Sequence, residues 1–343
     1  MYANVDTNVD VKERRMAQSL PRIPTIDLGP WLSGDPQARA LAAAQVDEAL
    51  SRAGFLLVTG HGVTRESREA VRAAAREFFA LPVAVKQRYA VSVGGRGWLA
   101  TGAEANGYAE GTETPPDLKE SWSVASDQPI GDPEIDAFWF QPNRWPQEVP
   151  RLQAVVQDYL AQLRGIADEL LRLLAVALGQ TEDFFTRHTT RSTYGFNINW
   201  YPGVSVVGEP EPGQYRIGPH TDFGTVTLLD RQQGKGGLQV YIDPADGGEG
   251  WEDAPFDPDA LTVNIGDLMA RWTGDRWRSG RHRVLAPSPQ APEEDLMSLV
   301  YFYECDPHTT VAPLPAPVGR AEYEPVDSSA YLKEKLDAIT VTS

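Results

Sequence analysis

The spacing of apolar residues changes along the chain, and this change restricts the folds that the chain can adopt. Before residue 180, apolar side chains recur at three- and four-residue steps, most clearly over residues 151–178, which predicts amphipathic helices. From about residue 192 the period becomes two, in short runs separated by turn clusters such as residues 234–237. Many short strands without intervening helices favour an antiparallel sandwich or jelly roll.

The first eighty residues predict a segment in which strands and helices alternate. Asp35 followed by Pro36 is the pattern of a helix N-cap with proline at the first helical position. Gly54 and Pro82 mark the ends of the two predicted helices. The predicted elements are a strand over residues 23–28, a helix over 35–54, a strand over 55–59 and a helix over 66–80.

The remaining elements are expected after a long irregular region. Residues 92–150 are rich in glycine and proline, and we expect them to cross the surface, with residues 92–116 as a candidate lid. A surface wrap without a lid function explains these residues equally well. A closing helix is expected over residues 331–339. The candidate strands cover residues 195–201, 224–230, 238–242, 261–265, 281–286 and 299–304.

These patterns predict a mainly β protein with flanking helices. Residues 1–20 are polar and aperiodic, which indicates a flexible N-terminal arm. Residues 21–180 would form a helical and loop region, with an α/β segment at its start, that packs on the core. Residues 181–343 would form the jelly-roll core and the C-terminal helix. We expect the two parts to act as one catalytic unit.

Charge and cysteine content exclude several classes of function. The 343-residue chain has a net charge of −17, which opposes binding to nucleic acid phosphates. This charge would suit an amine-bearing small substrate, although a solubilising surface is the favoured explanation. The single cysteine, Cys305, excludes an intrachain disulfide and a cysteine-rich metal site. No run of 18 apolar residues and no apolar signal core is present, so we expect a cytoplasmic protein without membrane segments.

Only five histidines are available, and two of them lie in a pattern that is typical of metal sites. His220 and Asp222 are separated by one residue and would share a face in a strand, and His282 enters another predicted strand. Two histidines and one carboxylate are the ligand set that binds ferrous iron and leaves open positions. An isolated H-x-D triplet also arises by chance. The remaining histidines fit structural roles: His61, His188 and His308.

Several segments, in the right order, resemble one known family. They are AGFLLVTGHGV at residues 53–63, RGW at 96–98, NWYP at 199–202, PHTDFG at 219–224, GLQV at 237–240, NIGD at 264–267 and SGRHRV at 279–284. In these segments the chain resembles the iron(II)- and 2-oxoglutarate-dependent dioxygenases of the isopenicillin N synthase-like branch. The resemblance covers nearly the whole chain.

The resemblance implies a double-stranded β-helix core in which His220, Asp222 and His282 bind Fe(II). It also implies 2-oxoglutarate as the co-substrate, whose decarboxylation is coupled to oxidation of a small molecule by O₂. Hydroxylation, desaturation and ring closure all occur in the family, in specialised metabolism. Tyr201 matches the family tyrosine that binds the distal carboxylate of 2-oxoglutarate, and Ser298 matches the serine of its R-x-S motif.

One departure from the family pattern concerns the co-substrate. Leu296 stands where the family has the arginine that pairs with the distal carboxylate. A buried carboxylate without a cation is unfavourable, so another cation must supply the contact or the co-substrate must differ. Two alternatives therefore stay open: an iron oxidase that does not use 2-oxoglutarate, and a non-catalytic binding protein of the same fold. The replacement candidates near the site in sequence are Arg216, Arg271, Arg281 and Arg283.

Overall fold

The computed structural model describes residues 21–111, 114–235 and 237–339, so the predicted arm over residues 1–20 lies outside the described residues. The helices are α1 (Gly29–Leu32), α2 (Pro36–Arg52), α3 (Arg65–Phe79), α4 (Val83–Lys86), α5 (Pro133–Trp139), α6 (Arg151–Ala177), α7 (Val204–Val207), α8 (Asp267–Trp272) and α9 (Ser328–Ala338). The strands are β1 (Thr25–Asp27), β2 (Phe55–Thr59), β3 (Gly97–Leu99), β4 (Glu120–Ala125), β5 (Gly195–Tyr201), β6 (Ile217–His220), β7 (Val226–Arg231), β8 (Leu238–Ile242), β9 (Gly250–Asp253), β10 (Leu261–Ile265), β11 (His282–Val284), β12 (Leu296–Tyr303), β13 (Thr310–Val311) and β14 (Val326–Asp327).

Two sheets form the core of the fold. The major sheet has the order β1-β2-β10-β7-β12-β5-β4-β3, and every pair in it is antiparallel except β1 with β2. The minor sheet has the order β6-β11-β8-β9. From β5 to β12 the chain alternates between the two sheets, except that β8 and β9 are consecutive and pair with each other in the minor sheet. This topology confirms the mainly β jelly-roll prediction.

Helices cover one face of the major sheet. α3 and α6 pack against each other, and α6 contacts β7 and β12. Residues 228 and 230 of β7 point toward these helices, because Asp230 pairs with Arg72 of α3 at 2.7 Å and with Arg68 at 3.6 Å. Side chains alternate along a strand, so residues 227, 229 and 231 face the minor sheet instead. The two faces of β7 therefore serve helix packing and the space between the sheets.

The N-terminal region shares the major sheet with the C-terminal strands. β2 pairs with β10, and β4 pairs with β5 over six residues. The prediction that residues 92–150 are irregular is therefore wrong for β3, β4 and α5. All six residues of β4 are buried, but three are polar, so the alternation of apolar residues that indicates a strand is absent. The boundary near residue 180 stays a prediction, and the shared sheet supports one integrated unit.

Most predicted elements are confirmed, with differences at their ends. Asp35 accepts a hydrogen bond from the Ala38 amide and caps α2, as the sequence indicates. β12 begins at Leu296, three residues earlier than predicted, and β11 is shorter than predicted. β6 and β9 were not predicted. β6 has four residues including a glycine and a proline, a composition that normally indicates a turn.

The buried charges between α3 and β7 give the first prediction. Asp230→Ala should lower the free energy of unfolding by about 3–5 kcal/mol, because two buried guanidinium groups lose their counter-charge. Asp259→Ala is the matched control, since its ion pair with Arg65 is exposed and should contribute less than about 1 kcal/mol. Urea denaturation of both variants measures the difference. Equal losses in the two variants would contradict the structural role of Asp230.

Candidate functional site

The two histidines and the aspartate that the sequence singles out lie together between the sheets. β11 pairs with β6 so that His282 lies directly opposite His220. One ligand atom from each of His220, Asp222 and His282 lies within 4.8 Å of the others, and all three residues are buried. His220 is the last residue of β6, and Asp222 follows in the loop. The prediction that His220 and Asp222 share one face of a strand is therefore wrong. The loop, and not the alternation of side chains along a strand, brings Asp222 back to the histidine.

Backbone carbonyls fix the orientation of both imidazoles. Nδ1 of His220 is 2.8 Å from the Gly218 carbonyl oxygen, and Nδ1 of His282 is 2.9 Å from the Gly280 carbonyl oxygen. A carbonyl accepts only, so Nδ1 carries the proton and Nε2 keeps its lone pair. Each Nε2 is 3.8 Å from the same Asp222 oxygen, Oδ1. The three lone-pair donors thus converge on one point, as a bound divalent ion requires.

The other oxygen of Asp222 holds the carboxylate in place. Oδ2 accepts hydrogen bonds from Thr227 Oγ1 and Asn264 Nδ2, both at 2.6 Å. Burial alone would raise the pKa of Asp222, but the positive charge that the two imidazoles carry when protonated and these two hydrogen-bond donors outweigh it and lower the pKa. The carboxylate is therefore ionised. The sequence analysis does not predict Thr227 or Asn264 as supporting residues, although Asn264 opens the NIGD segment, because both lie on strands that only the fold brings to Asp222.

A residue of the N-terminal strand β2 packs against His282. The Phe55 ring contacts the His282 imidazole edge-on, with ring centroids 5.3 Å apart. Gly280 permits this approach, because a Cβ there would lie 2.2 Å from Cε2 of Phe55. Phe55 and Gly280 therefore fix the position of the strand that carries His282. Phe55 was predicted only as part of an apolar strand.

A cavity between the sheets leads away from the three residues, and we call it the sheet cavity. Besides His220, Asp222 and His282, its walls include Tyr201, Arg231, Leu238, Leu296 and Ser298. The Tyr201 hydroxyl lies 2.9 Å from Ser298 Oγ, so the structure brings together the two residues that resemble the family's carboxylate contacts. Leu296 pairs with Tyr201 across β12 and β5 and contributes an apolar wall.

The four arginines proposed from sequence do not line the sheet cavity. Arg216 is buried and bonds to the side chain and carbonyl of Glu294. Arg271 donates to the Glu324 carbonyl, whereas Arg281 and Arg283 lie over the Trp251 ring on the outside of the minor sheet. Arg231 does line the cavity, and sequence inspection missed it because it lies in no family motif.

A second cavity opens on the other side of His220 and Asp222, and we call it the loop cavity. Its walls include residues 93–96, Glu104 and Asn106 from the predicted lid segment, and Leu332 and Leu336 of α9. The candidate lid therefore borders the site, although its closure stays a prediction. The contribution of α9 was not expected, because the sequence indicates only a terminal helix.

Glu304 is a further residue in the loop cavity that the sequence did not single out. It lies just beyond the end of β12, is buried, and accepts a hydrogen bond from the Thr225 amide at 2.7 Å. Burial raises its pKa to about 8. Within the described residues, no ion pair joins Glu304 to a cationic side chain. The carboxyl group is therefore largely protonated at neutral pH, and a cation in the cavity would favour its ionised form.

The other three histidines lie outside this cluster. His61 is 2.9 Å from the Asp259 carbonyl through Nε2 and accepts from the Val63 amide through Nδ1, so it is a structural residue of its turn. His188 ends a short helix against the Trp272 ring. His308 is exposed and faces Asp132. Cys305 is buried, and burial is the main cause that raises the pKa of its thiol to about 12, which makes it unreactive.

The fold and the buried group of two histidines and one carboxylate define the class of non-haem iron oxygenases. Family models confirm this class. Residues 188–304 match the model of the 2OG-Fe(II) oxygenase superfamily. Residues 23–148 match a model described as the N-terminal region of the non-haem dioxygenase in morphine synthesis. The chain belongs to the 2OG-Fe(II) oxygenase superfamily.

Individual relatives agree with this assignment. The chain is 41% identical to validamycin A dioxygenase of Streptomyces hygroscopicus subsp. limoneus, over 93% of this chain and 87% of that protein. It is 29% identical to the 2-oxoglutarate-dependent dioxygenase tropC of Talaromyces stipitatus, over 87% and 91%. Neurospora crassa T7H in complex with alpha-KG and thymine superposes with a TM-score of 0.78 and 26% identity, over 94% and 98%.

The protein is thus an iron(II)- and 2-oxoglutarate-dependent dioxygenase that oxidises a small molecule with O₂. The names of the relatives and the co-substrate in the neighbouring structure favour this function over the oxidase and binding-protein alternatives. No helix in the described parts of the chain is long and apolar enough to cross a membrane.

The contact between Phe55 and Gly280 gives a second prediction. Gly280→Ala should lower the free energy of unfolding by about 1–3 kcal/mol, because the added methyl group overlaps the Phe55 ring. Gly165→Ala is the control: nothing lies within 4 Å of a Cβ there, and alanine should stabilise helix α6 by up to about 1 kcal/mol. Phe55→Leu should partly rescue Gly280→Ala. Chemical denaturation measures all three, and a Gly280→Ala protein as stable as wild type would contradict the contact.

Proposed function

We propose that His220, Asp222 and His282 are the protein ligands of Fe(II). The observation that carries this proposal is that two Nε2 atoms and one oxygen of Asp222 lie close enough to bind one ion. Both Nδ1 atoms and the other oxygen of Asp222 have hydrogen-bond partners elsewhere. Three ligands from one side leave room for the keto acid and O₂. When bound, the iron and 2-oxoglutarate supply the oxidising power, and the protein positions the substrate and excludes water.

Removal of one ligand should abolish iron binding but retain the fold. His282→Ala should weaken Fe(II) binding by more than about 100-fold, since loss of a group that merely orients a ligand already costs about 10- to 100-fold. His308→Ala, at an exposed histidine, is the control and should bind as wild type. Anaerobic calorimetric titration with Fe(II) measures affinity, and circular dichroism checks the fold. Wild-type affinity in the His282→Ala protein would refute the assignment.

We place the keto acid in the sheet cavity, with Tyr201 and Ser298 at its distal carboxylate. Both hydroxyls lie in the cavity that leads from the proposed iron ligands, and both are buried. Burial raises the pKa of Tyr201, so its hydroxyl stays protonated and can donate. Hydrogen bonds to a charged group contribute about 1.5–3 kcal/mol each, so these two donors provide part of the affinity.

The substrate would then occupy the loop cavity, and we propose that it is polar and bears an amine. The wall of this cavity carries hydroxyl and amide side chains that can form hydrogen bonds with the hydroxyl groups of a substrate. They include Thr193, Asn197 and Asn199. Glu304 supports the amine, because its carboxyl group has no cationic partner among the described residues and an ammonium group would provide one. The net charge of −17 would also attract a cation.

The first compound to test is validamycin A, because a relative with 41% identity is named for it. The experiment incubates the Fe(II) protein with 2-oxoglutarate and single candidate compounds, and measures succinate and O₂ uptake. Product mass then distinguishes hydroxylation from desaturation or ring closure. Succinate formation that no compound stimulates above the background would argue against this substrate class. We also propose a cytoplasmic location, because a reducing compartment keeps the iron ferrous. We propose no nucleic acid or membrane as a partner.

The role of Glu304 gives a third test of this function. Glu304→Gln should lower the affinity for an amine-bearing substrate about 10-fold or more, because a charge-assisted contact becomes a neutral one. The affinity for the analogue with a hydroxyl in place of the amine should change little. Equilibrium binding of both compounds to the wild type and the variant gives the comparison. An equal loss for both compounds would indicate that Glu304 is structural.

A further inference from the structure

An arginine can reach the position of the missing family arginine from a neighbouring strand of the sheet as well as from β12 itself. In β12, an arginine at position 296 would share a face with Ser298, two residues away. In the neighbouring strand β7, Arg231 pairs directly with Ser298. Directly opposed residues point to the same face with Cβ atoms about 4.5–5.5 Å apart. A side chain at position 231 therefore reaches the same end of the sheet cavity as one at position 296.

The orientation of β7 places this side chain inside the cavity. Thr227, on the same face, bonds to Asp222, whereas Asp230, on the opposite face, pairs with helix α3. Arg231 accordingly lines the sheet cavity together with Tyr201 and Ser298. The strand thus carries a supporting residue of the iron site at its start and an arginine at its far end.

Arg231 lacks a counter-charge among the described residues. One terminal nitrogen donates to the carbonyls of Ala254 and Pro255, and the buried Nε has no hydrogen-bond partner. Burial lowers the pKa of its guanidinium to about 10, a value at which it stays charged at neutral pH. Other buried cations pair with carboxylates: Lys86 with Glu120, Lys119 with Glu104, Arg72 with Asp230 and Arg216 with Glu294. A partly buried cation without such a partner is unfavourable unless a ligand supplies the anion.

Arg96 is a further arginine for which no carboxylate partner is found within the described chain, but it fits the role less well. It lies in the wall of the loop cavity, and its guanidinium donates to the carbonyls of Gly94 and Trp139. It is absent from the wall of the sheet cavity, where Tyr201 and Ser298 lie. The position of Arg231 beside Ser298 is therefore the one that the geometry favours.

We propose that Arg231 binds the distal carboxylate of 2-oxoglutarate, in place of the arginine that Leu296 replaces. Tyr201 and Ser298 bind the same carboxylate, so the inference rests on the proposed placement of the keto acid. The cation has moved from β12 to β7, and Leu296 occupies the vacated position as an apolar wall. No chemical step is assigned to Arg231, which is a positioning and specificity residue for the co-substrate.

The test compares two keto acids that differ only at the distal end. 2-Oxoglutarate carries the second carboxylate, whereas 2-oxopentanoate has the same chain length and ends in a methyl group. Anaerobic calorimetric titration of the Fe(II) protein gives the affinity for each. In Arg231→Gln, the affinity for 2-oxoglutarate should fall about 10- to 100-fold, and the affinity for 2-oxopentanoate should stay near that of wild type.

Three further variants make the test specific. Arg283→Gln, at an arginine outside the cavity, should keep the wild-type preference for 2-oxoglutarate. Arg231→Lys keeps the charge but loses the planar fork, so its preference should be intermediate, and it serves if Arg231→Gln does not fold. Leu296→Arg, combined with Arg231→Leu, restores an arginine at the family position and should recover the preference.

The outcomes separate this inference from the proposed function. Wild-type preference in Arg231→Gln or Arg231→Lys, or an equal loss for both keto acids, would overturn the role of Arg231 and leave the proposed function in place. A wild-type Fe(II) protein that binds neither keto acid would overturn both. Loss of preference confined to the Arg231 variants and recovered by Leu296→Arg is the expected result.

Discussion

The antiparallel pairing of β6 with β11 is the constraint on which the site depends. This pairing sets His282 opposite His220, although the two are sixty-two positions apart in the chain. A shift of one residue in this register would turn His282 to the other face of the sheet. The loop after β6 then returns Asp222 to both imidazoles, and Asn264 of β10 holds it there. Strands from both sheets therefore fix a group that no single element could build.

Buried charged groups between the helices and the major sheet have partners within the chain, whereas two ionisable groups in the site have no such partners among the described residues. Between α3 and β7, the buried carboxylate of Asp230 faces Arg68 and Arg72, and Glu69 supplies a second carboxylate to Arg72. Beside the proposed iron ligands, Glu304 and Arg231 face separate cavities, and no ion pair joins either of them to an oppositely charged side chain of the described chain. An ionisable group without a partner in the protein can form an ion pair with a bound ligand of opposite charge. A cation in the sheet cavity and an acidic group in the loop cavity are consistent with the proposed anionic keto acid on one side and the proposed amine on the other.

The relation between Leu296 and Arg231 shows why a motif is an incomplete description of a binding site. A motif records neighbours along one strand, whereas a carboxylate is bound by whichever donors surround it in space. Ser298 has neighbours both along β12 and across to β7, and an arginine in either place reaches the same volume. Under the proposed role of Arg231, the apolar residue at 296 marks a changed position of the cation, which is compatible with an unchanged co-substrate.

The sequence by itself determined the class of the fold, the family and the His220–Asp222–His282 group, because periodicity and local motifs are encoded by neighbouring residues. It also placed the ends of α2 and several strands, where caps and turns act locally. Only the tertiary structure decided that β4 belongs to the sheet, that Asn264 and Thr227 support Asp222, and that Arg231 and Glu304 face the cavities. These relations depend on strand register and on contacts between distant segments, which leave no periodic signal in the chain.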